Sequence, residues 1–215
     1  MITIPTAVLD IIQGNEIALE SLRAGILNLS AYARQIQPEI EKKLIKRVPR
    51  GTIVTALSRL LPKLSDIHPL RPLVRIEDIG IKSPLVELCF DKSTETIKEI
   101  NLFRNSISPD NSFFTVTQGF GEVTLIMPEN LKTKALSAIK HRPKGQYDNL
   151  VAVTIRIVAA DYIETPNMIY TLTAALAAQR INLIEIVSTY TEISFIVRQS
   201  DMKKTIDVFK DLFVD

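Results

Sequence analysis

The 215-residue chain has a single cysteine, Cys89. An internal disulfide framework is therefore excluded, and a reducing compartment is expected. No apolar run approaches the ~20 residues that cross a bilayer, and Met1 to Gly14 lack a basic leader region and a cleavage pattern. A cytoplasmic protein with no membrane partner is the expectation. Only two histidines occur, His68 and His141, far apart and beside prolines or basic residues. With Cys89 they make no metal-ligand spacing, and they read as surface residues without partners. Cys89 itself lies in the apolar run Leu85 to Phe90 and reads as a small buried hydrophobe. There is no Walker loop, no H-E-x-x-H, no G-x-S-x-G and no evident pair of carboxylates. Gly119-Phe120-Gly121 begins a G-x-G-x-x-G but lacks the third glycine and lies between two strand patterns, so it reads as a hairpin turn. These absences point away from an enzyme, a metal and a cofactor.

What is present is ordinary for a globular protein: 46% hydrophobic and 23% charged residues. The net charge of +2 is unevenly spread. Residues 1–70 carry nine Lys/Arg against six Asp/Glu, and Lys42 to Lys63 holds seven basic residues with no acid.

The strongest organisational signal lies between Leu150 and Gln199. Val151, Val153, Ile155 and Ile157 alternate with Ala152, Thr154 and Arg156, as in a strand with one buried face. A polar break, Asp161 to Asn167, precedes Ile169, Leu172 and Leu176 at helical spacing. Leu183–Val187 and Ile193–Val197 read as two more strands around a turn at Tyr190-Thr191. A last helix follows, capped at Ser200-Asp201, with Met202, Ile206, Phe209 and Phe213 on one face. The order is β-α-β-β-α.

The same order precedes it. Leu73–Ile79 and Leu85–Phe90 read as two strands separated by Ser83-Pro84. Thr94–Ile107 reads as a helix with Ile97, Ile100, Phe103 (or Leu102) and Ile107 inward. Phe113–Thr117 and Glu122–Met127 make a hairpin, and Asn130 caps a helix carrying Leu131, Ala135, Leu136 and Ile139. The run from Phe120 to Met127 lies on Tyr190 to Val197 without a gap, so that Glu122 falls on Glu192. An internal repeat offset by seventy residues is expected, with His141–Asp148 as the linker between copies.

Residues 5–64 show helical patterns and no strand pattern. Gly14-Asn15 breaks a first helix from a second. Ser30 to Leu44, capped at Leu29-Ser30, carries Tyr32, Ile36, Ile40 and Leu44 on one face. Ile53, Leu57, Leu60 and Leu61 define a helix ending before Pro62. With its basic connector this pair is a candidate helix-turn-helix. Lys42, Lys43, Lys46 and Arg47 would contact phosphates, while Arg50, Thr52, Thr55, Ser58 and Arg59 form the exposed face of the second helix. The alternative is a solvated basic face on a packing or dimerisation module, since Ile45–Pro49 is not the tight glycine-containing turn of that motif.

Thr165-Pro166, Ile181-Asn182-Leu183 and Ser188 to Val197 together resemble the ACT domain, as in the regulatory region of aspartate kinases. The resemblance covers about residues 150–213. One departure is Asn167, where the family often has glycine after the proline; asparagine tolerates positive φ better than most residues. With the helical patterns read as an N-terminal helical domain (1–66), the resemblance implies an α+β chain that continues into two ferredoxin-like βαββα(β) ACT-type units, at 73–140 (divergent) and 149–215. It also implies a homodimer. ACT units have a fourth strand; Leu73–Ile79 is the candidate for the first unit, leaving the second with an open edge.

Free N–H groups at a helix N-terminus attract an anion such as an amino-acid carboxylate. That places a candidate ligand site at Asp161, Ile163, Glu164, Thr165, Pro166, Asn167 and Met168, with Asp161 or Glu164 meeting an α-amino group. By the resemblance, Ile186, Val187 and Ser188 form the opposite wall. The plainer alternative is that Thr165-Pro166 is an N-cap followed by proline at the first helical position. Two functions remain open. One is a non-enzymatic regulator sensing a small molecule, an amino acid, with a helical module that transmits the state and binds DNA. The other is an interaction protein that dimerises through ACT-type units and regulates a metabolic enzyme in trans without DNA.

Overall fold

A computed structural model describes residues 2–66, 70–108, 113–158 and 164–212. The chain divides into two compact units, residues 1–70 and 71–215.

The first unit is helical: α1 (Ile4–Gln13), α2 (Glu16–Arg23), α3 (Leu29–Leu44) and α4 (Arg50–Leu60), then a 3-10 turn at Leu61–Asp66. Local chemistry sets its boundaries. Thr3, Asn15 and Asn28 accept hydrogen bonds from the first-turn amides of Thr6, Ala18 and Ala31. Asn28 therefore caps α3, in place of the expected Leu29-Ser30. Pro38 sits inside α3 without ending it. Val8, Ile12, Leu19, Leu22, Ile36, Ile40, Ile53 and Leu57 form the core.

The second unit is built on one six-stranded antiparallel sheet in the order β2-β3-β1-β4-β6-β5. Its strands are β1 (Ile76–Asp91), β2 (Thr115–Gln118), β3 (Glu122–Pro128), β4 (Gly145–Ile157), β5 (Glu185–Ser188) and β6 (Glu192–Arg198). Among the described residues its longer helices are α5 (Thr94–Asn105), α6 (Lys132–Ala138), α7 (Met168–Ala178) and α8 (Met202–Lys210).

Two expectations change here. The strands read at 73–79 and 85–90 are one strand, β1, which absorbs Ser83-Pro84 at a register shift between Lys82 and Leu85. Proline is tolerated there because a bulge leaves a residue out of the ladder. Second, the N-terminal half of β1 does not supply the fourth strand of its own segment. Ile76, Ile79 and Ile81 pair with Ile157, Ile155 and Val153, closing the edge that was expected to stay open. Conversely Gly145, Gln146 and Tyr147, read as linker, begin β4 and pair with Cys89, Leu88 and Glu87. Each half of the sheet thus borrows a strand from the segment of the other, and residues 73–140 and 149–215 share one continuous sheet.

The seventy-residue offset is the offset of the elements. β2, β3, the 3-10 turn Glu129–Leu131 and the start of α6 map onto β5, β6, Gln199–Asp201 and the start of α8. Those 3-10 turns precede the helices, so neither Asn130 nor Ser200 caps. Ala135 and Thr205 coincide and are both fully buried.

One sheet face carries α5, α6, α7 and α8. Val86, Leu88, Phe90, Val123, Leu125 and Met127 pack on Ile100, Phe103 and Ala135. Val151, Val153, Ile155, Phe195 and Val197 pack on Met168, Leu172, Leu176 and Phe209. Leu102 is exposed, so Phe103 takes the inward position in α5. On the opposite face Leu85, Ile126, Leu150, Ala152 and Ile196 are buried beneath Phe113, Ile184 and Val187. The sheet curls toward that face, so that Phe113, just before β2, and Ile184 and Val187, around β5, pack against the same buried cluster.

Cys89 points to this curled face and is half-buried, with Sγ 3.9 Å from Glu122 Oε2, so it is no core hydrophobe. His141 has a partner, its Nδ1 lying 2.9 Å from Glu99 Oε2. That bond holds the Glu99 carboxyl below its ordinary range. His68 and Phe213 lie outside the described residues.

Candidate functional site

Four features converge at one end of the sheet: the start of β1, the end of β4, the N-terminus of α7 and the β5–β6 turn. Ile76 pairs with Ile157, and the Ile157 amide donates to Thr191 O at 2.9 Å. Met168, the first residue of α7, is buried in one cluster with Ile76 and Ile157.

Asn167 is the N-cap of α7, with φ 69° and ψ 15°. Asparagine thus occupies the left-handed position the resemblance assigns to glycine, and Thr165-Pro166 precedes the helix rather than capping it. No side chain caps α7. Its first-turn amides, which have no intrahelical partner, carry the positive end of an 11-residue helix. Glu164, Pro166 and Asn167 are exposed, Thr165 is half-buried, and Met168 is buried in the core. Met168 therefore anchors the helix and offers only its backbone. Ile186 and Ser188 are exposed on β5, whereas Val187 is partly buried, packing on the curled face. Alternation along a strand puts Val187 on the face opposite Ile186 and Ser188, so the expected wall Ile186-Val187-Ser188 does not present three side chains together. Asp161 and Ile163 lie outside the described residues.

The corresponding end of the other half is closed by its own side chains. The entry to α5 is short, and Ser93 Oγ accepts from the Thr96 amide at 3.0 Å. Lys92 donates to Gly119 O at 2.9 Å, and its backbone amide bonds Gly121 O at 2.9 Å. Lys144 Nζ reaches Glu122 at 2.6 Å and Asp91 at 3.4 Å, and the Glu122 bond raises the pKa of Lys144 above the usual lysine value. Ser93→Ala is expected to cost about 1 kcal/mol, read as a lower urea midpoint at unchanged slope.

In the helical unit, Lys42, Lys43, Lys46, Arg47, Arg50, Thr52 and Arg59 are all exposed, as are Thr55 and Ser58. The connector is pinned rather than loose. Ile45 is left-handed at φ 53°, and Glu41 Oε1 accepts from the Val48 amide at 2.9 Å while Gln37 Nε2 donates to Val48 O at 2.9 Å. Lys43 lies 3.9 Å from Asp10. Lys46, Thr52 and Arg59 line a cleft of about 870 Å³ that is otherwise walled largely by apolar residues such as Ile2, Ile4, Pro49 and Leu60.

Among the described residues, no group of three or more His, Cys, Asp or Glu is placed to hold a metal, and no helix is long and apolar enough to cross a membrane. Sequence reading missed one juxtaposition: Glu87 on β1 and Glu185 on β5, two carboxyls brought within electrostatic reach by the curl of the sheet.

No family model and no curated protein matches the chain. Solved structures do. The ligand-free regulatory subunit of aspartate kinase from Thermus thermophilus superposes with a TM-score of 0.53 at 13% identity, covering 65% of this chain and 99% of that one. The regulatory subunit from Thermus flavus gives 0.52 at 14% identity, with 65% and 99% covered. Aspartate kinase from Clostridium acetobutylicum gives 0.54 at 16% identity, covering 67% of this chain and 36% of that one. The fold is ACT-like. At these identities the likeness establishes architecture and leaves chemistry to the residues.

Proposed function

We propose that the chain is a non-enzymatic regulatory protein whose 71–215 unit consists of two interlocked ferredoxin-like, ACT-type units and senses an amino acid at the entry to α7. The observation that carries this reading is the contrast between the two helix entries: α5 is closed by Ser93, whereas α7 starts at a left-handed Asn167 with no side-chain cap. An α-carboxylate there accepts from the first-turn amides, with Thr165 beside it. The exposed Glu164 carboxylate meets the ammonium group, and Ile186 and Ser188 on β5 are placed to contact the side chain. No cofactor enters this scheme. Two copies pair as a homodimer, the habit of ACT-type units.

The test is a thermal-shift screen against the twenty amino acids at millimolar concentration. A ligand at one hundred times its Kd stabilises the folded state by about 2.7 kcal/mol, which for a unit of this size shifts Tm by several degrees. Asn167→Asp supplies a competing carboxylate at the same helix end and is expected to weaken binding at least tenfold without loss of fold. Asn167→Gly keeps the left-handed conformation and is expected to retain binding. No shift with any amino acid refutes the sensing reading.

A second reading concerns the helical unit alone. On α4, Ile53, Ala56, Leu57 and Leu60 are buried while Arg50, Thr52, Thr55 and Arg59 face outward. This is the arrangement a DNA-reading helix needs. Retention on duplex DNA that falls steeply between 50 and 200 mM salt supports it. Absence of retention leaves protein contact as the role of that face.

A further inference from the structure

Among the described residues, two carboxyls on the curled face of the sheet, Glu87 and Glu185, have no cation set against them. Glu87 is 7% exposed, and its Oε2 is buried with no hydrogen-bond partner among the described residues. In the same cross-strand row, Ile126 pairs with both Glu87 and Thr115, and the Thr115 hydroxyl is likewise buried and unpartnered. Two strands away from β4 in the opposite direction, Glu185 begins β5 and pairs with Ile196. The curl brings these distant rows together: Phe113 beside β2 and Val187 on β5 pack against one buried cluster that includes Ile126 and Ile196, the strand partners of Glu87 and Glu185. Burying an uncompensated carboxylate is expensive, so nothing in this constellation favours two ionised groups.

We propose that Glu87 and Glu185 form a proton-operated clasp: a proton held on the pair keeps the curled sheet closed, and its loss loosens the contact between the β2 and β5 ends.

The other ionisable groups in the surrounding rows do not neutralise the pair. On β1, Cys89 lies against Glu122, and Lys82 is exposed opposite Ala152. Lys144, just before β4, is engaged by Glu122 and Asp91. Tyr147 pairs with Glu87 from β4, Arg198 of β6 is exposed opposite Leu150, and β2 contributes only the threonines. Burial first, and the Glu185 charge second, push Glu87 up to about 7. Burial also raises Glu185, and the Thr117 side chain opposes it. The sign follows from linkage. A carboxyl whose folded-state pKa lies above its unfolded value of 4.5 stabilises the closed state fully below about pH 4.5, and that contribution is lost as pH rises through 7.

The clasp is independent of the amino-acid reading and is tested without ligand. Amide exchange of the full chain is followed at pH 5 and pH 8, corrected for the intrinsic pH dependence of exchange. Protection in β2 and β5 is expected to fall by about one to two orders of magnitude between these values, the ceiling set by the displacement of Glu87. Helices α5 and α7 are expected to change little. Glu87→Gln is expected to remove most of the pH dependence and keep the ends closed at pH 8. Should that variant fold poorly, Glu185→Gln removes the like charge that helps push Glu87 up, and is expected to shrink the loss of protection and move it to lower pH. Equal protection at pH 5 and pH 8 in the unmodified chain, or a pH dependence undiminished by Glu87→Gln, overturns the proposal.

Discussion

Phe195→Ala is expected to destabilise the sheet-bearing unit by about 3–5 kcal/mol, a large share of the stability of a domain this size. Phe195 is fully buried in β6, paired with Val153 on one side and Ile186 on the other. Its ring lies 5.0 Å from that of Phe209 on α8, tilted by 43°, a geometry that adds to the area both rings bury. Truncation removes the ring contact between the sheet and α8. Equilibrium urea unfolding should show the loss as a lower midpoint with little change in slope. Because the two rings share one contact, Phe195→Ala and Phe209→Ala together are expected to cost less than their sum. An effect under 1 kcal/mol would mean that the core collapses around the gap.

Phe103→Ala, in the other half, is expected to cost a similar 3–5 kcal/mol and to be felt well beyond its own neighbourhood. Phe103 on α5 is buried against the β1–β3 side, within reach of the Phe114 ring at 6.2 Å. Yet β1 and β4 run through both halves, so opening the first half strips the strand that covers the second. Amide exchange in β6 should therefore accelerate with that in β3. If only β3 and α5 lose protection, the halves open independently despite the shared strands.

Much of this architecture is legible in the chain. The period-2 runs at 151–157 and 193–197 and the helical spacing at 169–176 name the core of the second half, and the match of Glu122 to Glu192 gives the offset that the elements keep. What escaped reading is non-local. Pro84 looks like a break because proline interrupts ladders, and only the pairing of Ile79 with Ile155 shows the strand continuing past it. Nearness in sequence offers Leu73–Ile79 as the fourth strand of the first unit, whereas Ile76 and Ile79 pair with Ile157 and Ile155 of the second. At the candidate site, the left-handed turn at Asn167 was foreseeable from the residue type, but the absence of a cap was not, since Thr165 looks like one. That Val187 turns inward follows from strand alternation once the ends of β5 are known. Glu87 and Glu185 are unremarkable individually. They meet only because the sheet curls, and no periodicity records curvature.

The exchange of strands between the halves bears on how this protein can be taken apart. A boundary drawn between the two β-α-β-β-α segments looks natural and yields no finished part. Residues 149–212 alone would present Val151–Ile157 along an uncovered edge, because the strand that pairs there is Ile76–Lys82. Such a piece would recruit a strand from a second copy of itself. A self-contained module would come instead from a permuted chain in which Ile76–Lys82 is carried behind Leu212 by a short linker, so that the edge is closed from within.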